Sequence, residues 1–161
     1  MDASWRTVYL AGSQCLIAVH FTNAPNQYFE VLDGSRTNVI ANSDIPLANS
    51  DFALSDLGLD FLHWPTQEQR KGEMRLGQPC YVLDSSSGRP SGIVRVRSYI
   101  DKQSGGVILA EAYDANGNVL KEFSLHGSSF RKVNGQWRLE KMEMHDRRKH
   151  SQTIIHFDIN Q

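Results

Sequence analysis

From Gly92 to Asp158 the chain alternates short apolar runs with turn-forming residues and leaves almost no room for a helix. Arg95-Val-Arg-Ser-Tyr-Ile-Asp101 meets Lys102-Gln-Ser-Gly-Gly106, and Val107 to Tyr113 meets Asp114-Ala-Asn-Gly-Asn118. Val119 to Val133 meets Asn134-Gly135, Gln136 to Met144 meets a polar turn at Arg147-Arg-Lys149, and Thr153 to Ile159 closes the series. Asn-Gly between apolar runs is a strong hairpin signal, because both central residues of a type I′ turn take positive φ. It occurs at Asn116-Gly117 and Asn134-Gly135. The run therefore predicts consecutive antiparallel strands with tight turns at both dipeptides. A meander that curls must bury something on its concave side.

The length of 161 residues suits one domain, spanning 1–161. Such a domain buries roughly 70% of the surface its unfolded chain exposes, enough for a core without metals or disulfides. Hydrophobic residues are 40%, charged residues 22% and net charge −1, the balance of a soluble globular chain. No basic field is dense enough to displace phosphate counterions, which excludes nucleic acid as a partner. No apolar stretch approaches the roughly 20 residues of a membrane helix. Met1-Asp-Ala-Ser-Trp-Arg6 lacks a signal-peptide layout, so the protein is either cytosolic or its leader lies outside this sequence. Cys15 and Cys80 lack Cys-x-x-Cys spacing and read as two buried or half-buried thiols on strands, with one disulfide as the alternative.

In the first half, Trp5 to Leu10 and Cys15 to Phe21 read as two tightly joined strands. Asn23-Ala-Pro-Asn26 is a turn, Tyr28 to Leu32 a third strand and Thr37 to Ile40 a short fourth. Asn49-Ser-Asp51 and Ser55-Asp56 are candidate helix N-caps. They introduce one short helix, Ser55 to Trp64, weakened by Gly58 and ended by Pro65. Thr66 to Arg75 is a polar strand or loop, Cys80 to Leu83 a strand, and Asp84 to Gly92 an exposed hairpin tip.

Side chains alternate faces along a strand. Ile108, Ala110 and Ala112 oppose Val107, Leu109, Glu111 and Tyr113; Ile155, Phe157 and Ile159 oppose Ile154, His156 and Asp158. Neither face of the meander is cleanly polar, unlike a sheet with one wet side. One short helix cannot cover it. The pattern implies a missing helix, a concave apolar cavity, or local breaks of alternation at the sheet ends.

Several segments, in order, carry a resemblance. They are Asn49-Ser-Asp-Phe-Ala-Leu-Ser-Asp-Leu-Gly-Leu-Asp-Phe-Leu62, Gly77-Gln-Pro-Cys-Tyr-Val-Leu83, Tyr99-Ile-Asp-Lys-Gln-Ser-Gly105 and Ala112-Tyr-Asp-Ala-Asn-Gly-Asn-Val-Leu-Lys121. Phe130-Arg-Lys-Val-Asn-Gly-Gln-Trp137 and Lys141-Met-Glu-Met144 complete the set. Together they resemble the bacterial outer-membrane lipoprotein-sorting proteins, relatives of the LolA and LolB carriers, over roughly two thirds of the chain. The resemblance implies a curved, unclosed antiparallel half-barrel with helices at its mouth, whose concavity holds acyl chains of lipoproteins or other lipids in the periplasm. Relatives open with a long helix, and none is visible among the 48 residues before Asn49.

Six histidines, His20, His63, His126, His145, His150 and His156, show no metal-binding spacing, and no Gly-x-Ser-x-Gly elbow is present. Neither a cofactor nor a catalytic residue is expected. Asp51 and Asp56 are explained by helix capping. Methionines and aromatics could line a soft apolar pocket: Phe61, Leu62, Trp64, Met74, Phe123, Trp137, Met142, Met144 and Phe157. Each taken singly fits an ordinary core.

The expectation is thus a mostly β, LolA-like domain with one or few short helices that binds and transports acylated molecules without catalysis. The helix should cross one mouth of the sheet, and lipid or a second copy should cover what remains apolar. One alternative is an adaptor module of an envelope complex with membrane-associated partner proteins, recognised through exposed sheet edges. The other is a small lipid-modifying hydrolase using His63 with Asp60.

Overall fold

The computed structural model describes residues 4–34, 36–125 and 127–158; His126 and Ile159 lie outside them. The chain forms two compact units, Met1–His63 and Trp64–Gln161. Every described ladder is antiparallel, and each sheet is open, its edge strands paired on one side only.

The first unit is a four-stranded meander: β1 Ser4–Ala11, β2 Gln14–Phe21, β3 Gln27–Val31 and β4 Thr37–Ile40. The sequence expectation holds here to within one or two residues. One face of this sheet is buried through Tyr9, Leu16, Ala18, His20 and Tyr28. The helix expected over Ser55–Trp64 is much shorter. It is α1, Leu54–Leu57, followed by a separate 3-10 turn at Asp60–His63. Leu59 sits between them at φ 52°, a left-handed conformation that no α-helix contains. The N-cap residue is Ala53, not one of the predicted Asn49-Ser-Asp51 or Ser55-Asp56, but Asp56 does cap the helix start from inside its first turn: its carboxylate accepts the Ala53 N–H at 2.7 Å.

The second unit is a seven-stranded sheet ordered β13-β12-β9-β8-β7-β6-β5. Its strands are β5 Thr66–Arg75, β6 Gln78–Ser86, β7 Arg95–Asp101, β8 Val107–Tyr113, β9 Val119–Ser124, β12 Lys141–Asp146 and β13 Ser151–His156. Between β9 and β12 the chain leaves the sheet and makes a separate two-stranded hairpin, β10 Phe130–Val133 and β11 Gln136–Leu139. This corrects two long strands. Val119–Val133 is broken by a 3-10 turn at Gly127–Ser129, and Gln136–Met144 is broken at Glu140, whose N–H returns to Ser129 O at 2.8 Å. A core cluster of Cys80, Val82, Tyr99, Ile108 and Leu109 anchors the middle strands.

The polar stretch 66–75 is a full ten-residue edge strand, with a bulge between Arg70 and Glu73. The expected hairpin tip at Asp84–Gly92 also begins too early, because Asp84 and Ser85 are buried in β6. Their polar atoms are satisfied inside the sheet, Asp84 by arginines and Ser85 by Gln67 Oε1 at 2.7 Å.

Asn134 (φ 50°) and Gly135 (φ 84°) form the predicted type I′ turn. The other Asn-Gly does not. Only Gly117 has positive φ, and the loop closes through Asp114 N–H to Asn118 O at 3.0 Å and Gly117 N–H to Asp114 O at 3.1 Å. The Asp114 carboxylate also accepts the N–H groups of Asn116 and Asn118, which selects this longer loop. Nothing lies within 4 Å of where a Cβ on Gly117 would stand, so its φ of 84° is the whole objection to a side chain. Gly117→Ala should cost about 1–2 kcal/mol by urea denaturation, the penalty of a left-handed alanine. An unchanged midpoint would show that the loop tolerates another geometry.

Candidate functional site

The four-stranded sheet has a second face. Across its ladder Val8 pairs with Ile17, Ile17 with Phe29, and Phe29 with Val39; Leu10, Cys15 and Val31 form the next row. With Val19 these residues make one apolar surface, since partners in register point to the same side. Leu10 is 78% exposed, Val39 72% and Val8 56%, while the residues of the two central strands are half-buried. Arg6, Gln27 and Thr37 bring polarity only at the ends of the strands. An open sheet face normally alternates to polar residues, and this one does not.

The seven-stranded sheet also has an apolar face. Ala110 pairs with Phe123, Phe123 with Met144, and Met142 with Ile155. Met142 and Met144 are buried and Phe123 half-buried. Near the other edge of the sheet a shallow groove of about 280 Å³ is lined by Gln69, Tyr81, Val82, Leu83 and Ile100. Of the nine residues expected to line a pocket, Phe123, Met142 and Met144 therefore share a face. Phe157 follows β13, half-buried, with its N–H on Glu140 O at 2.8 Å. Met74 is 61% exposed on edge strand β5, and Trp137 is 69% exposed on the separate hairpin. Phe61 is buried and Leu62 exposed in the 3-10 turn of the first unit, and Trp64 is half-buried at the start of the second.

Two polar clusters escaped the sequence reading. In the first unit Asp60 Oδ1 accepts from Tyr28 OH and Asn26 Nδ2, each at 2.7 Å, and Asn26 also donates to Gly58 O at 2.7 Å. Burial and the Asp60 carboxylate push the Tyr28 phenol far above its ordinary pKa. Asp60 thus clamps β3 to the turn; it makes no hydrogen bond to His63, which is exposed. His20 lies nearby in the same unit, stacked on Trp5 with ring centroids 5.1 Å apart and 3.1 Å from Thr7 Oγ1. Burial lowers its pKa, and the Asp60 charge only partly offsets this.

In the second unit Asp84, with its side chain 2% exposed, gathers three arginines. Arg97 binds it through two N–H donors at 2.7 and 2.8 Å, Arg70 donates at 3.0 Å and Arg95 approaches at 3.4 Å. The Arg97 hydrogen bonds, aided by Arg70 and Arg95, hold the carboxyl down at about 2. Arg95 in turn lies over the Tyr113 ring at 4.0 Å. These contacts tie β5, β6 and β7 together; they leave Asp84 no free acid–base role.

Among the described residues no three of His, Cys, Asp and Glu converge as a metal site, and no helix is long and apolar enough to cross a membrane. Cys15 and Cys80 are free thiols on β2 and β6.

Three solved structures share this fold. A domain named for outer membrane lipoprotein sorting, from Vibrio parahaemolyticus, matches with a TM-score of 0.68 and 22% identity over 88% of this chain. The chain spans 61% of that domain's length. A DUF1329 family protein from Desulfovibrio piger matches with 0.64 and 16% identity, over 99% of this chain and 78% of the other. A LolA superfamily protein from Nitrosomonas europaea matches with 0.56 and 17% identity, over 91% and 77%. No curated protein matches the chain. A family model described as an uncharacterized protein matches residues 23–160. The chain belongs to the family which that model describes, and its fold is LolA-like.

Proposed function

We propose that this protein is a non-catalytic carrier of acylated molecules, lipoproteins or other lipids, in the periplasm of the bacterial envelope. The observation that carries the reading is the open face of β1–β4, where Val8, Leu10, Ile17, Val19, Phe29, Val31 and Val39 stand without polar alternation. Acyl chains suit such a face, because each buried methylene contributes about 0.8 kcal/mol and no polar group must be matched. Phe123, Met142, Met144 and Phe157 offer a second adaptable apolar lining. The relatives' LolA-like fold and the name of the Vibrio domain support the same direction. The adaptor reading is weaker, because edge strand β5 bears Glu68, Arg70, Lys71, Glu73 and Arg75, charges that oppose strand addition.

The test is native mass spectrometry with lipid extraction, together with uptake of a fluorescent fatty acid. The expected result is a co-purifying acyl lipid and probe binding that falls at least about ten-fold in Ile17→Asp, a carboxylate introduced at the centre of the apolar face. A ligand-free protein that takes up no probe would overturn the carrier reading. A dimer that hides the β1–β4 face would move the reading to self-association.

A further inference from the structure

The hairpin β10–β11 is an excursion from the main sheet, and its composition differs from the rest of the chain. Its sequence, Phe130-Arg-Lys-Val-Asn-Gly-Gln-Trp-Arg-Leu139, holds three cations and no anion in a chain whose net charge is −1. The register sorts the side chains. Phe130 faces Leu139 at the base, both half-buried, and Lys132 faces Trp137 one step nearer the turn on the same side. Trp137 is 69% exposed. On the other side Arg131 stands directly opposite Arg138, both exposed, a like-charge pair that weakens a hairpin. Glu140 relieves Arg131 at 3.4 Å, but neither Lys132 nor Arg138 meets an acidic side chain among the described residues. The hairpin is thus held at its base and leaves an aromatic ring and unneutralised cations outside.

We propose that this hairpin docks the protein onto an anionic lipid bilayer, with Trp137 seated at the headgroup level and Lys132, Arg131 and Arg138 on the surrounding phosphates. An indole, apolar in body with one N–H donor, suits the membrane interface. An anionic surface supplies the counter-charge that Lys132 and Arg138 lack and attracts each cation separately. The type I′ turn at Asn134-Gly135 keeps the tip narrow and uncharged, so a bilayer met tip-first is reached by Trp137 and Lys132 on one side of the hairpin and by Arg131 and Arg138 on the other. The inference goes beyond the carrier reading and stands without it, since a surface contact needs no acyl cavity.

Co-sedimentation with vesicles of phosphatidylcholine alone and of phosphatidylcholine with phosphatidylglycerol tests it. Binding to the anionic vesicles only is expected, falling with added salt. Trp137→Ala should weaken it at least about five-fold, and Lys132→Glu with Arg138→Glu should abolish it, since each lost cation is itself about five-fold. Arg138→Lys should keep it. All three positions are exposed, and circular dichroism checks that each variant folds. Absent binding, equal binding to both vesicle types, or wild-type binding by Trp137→Ala would overturn the proposal. Loss of fatty-acid uptake with vesicle docking intact would instead count against the carrier reading alone.

Discussion

Asp84→Ala should destabilise the protein by about 3–5 kcal/mol, the range for removing one partner of a buried ion pair. The loss is large because it is shared: Arg97 loses two short hydrogen bonds, Arg70 one, and Arg95 its counter-charge over the Tyr113 ring. The three guanidiniums are then left crowded around an empty place on the sheet. Urea denaturation measures the effect, and a loss under about 1 kcal/mol would show that the arginines find water instead. The same carboxylate makes stability depend on acid. Its pKa is held at about 2 in the fold against 3.8 for the free side chain, so its folded-state stabilisation is complete above about pH 4. It is lost as pH falls through 4 towards 2, and amounts to roughly 2 kcal/mol. The wild type should therefore lose more stability across that window than Asp84→Asn.

Gly58→Ala should cost about 2–4 kcal/mol, combining overpacking with damaged buried hydrogen bonds. The backbone itself permits alanine, with φ −82° and ψ −7°. Space does not. A methyl group there would collide with Tyr28 OH and lie 2.8 Å from Asn26 Nδ2 and 2.9 Å from Asp60 Oδ1. Tyr28 is a buried ring in β3 and cannot swing aside cheaply. A double variant, Gly58→Ala with Tyr28→Phe, removes the colliding oxygen. It should be less destabilised than the sum of the two single changes. Strict additivity would show that the collision is relieved elsewhere.

Gly58 illustrates what a sequence conveys. Within a helical pattern a glycine reads as a weakness, and the helix was expected to run through it. Its role depends on a tyrosine thirty residues earlier, and no local pattern encodes that. The strands of the first unit were legible because apolar runs and Asn, Pro and Gly turns bracket them closely. The antiparallel class and the type I′ turn at Asn134-Gly135 were legible for the same reason. Asp84 reads as loop in the sequence because Asp, Ser and Gly are turn formers by composition, whereas three arginines distant in sequence make the residue a strand interior. The hairpin Phe130–Leu139 is not separable in the sequence from longer strands, because strand propensity does not report which partner a strand takes. The open face of β1–β4 had a visible signal. Val8 and Leu10, Ile17 and Val19, and Phe29 and Val31 are each spaced by two; what was missing was the register that lines them up.

The departure of the chain between β9 and β12 has a further consequence. Glu143 pairs with Ser124 and Asp146 with Lys121, so the main ladder closes without any contribution from the hairpin strands between them. An insertion of that kind is free to lengthen, shorten or change its tip without disturbing the register of the seven strands. Changes confined to residues 130–139 should therefore leave the pairing of β9 with β12 intact. If the hairpin docks as proposed, a grafted or shortened one is a practical way to change the surface it meets.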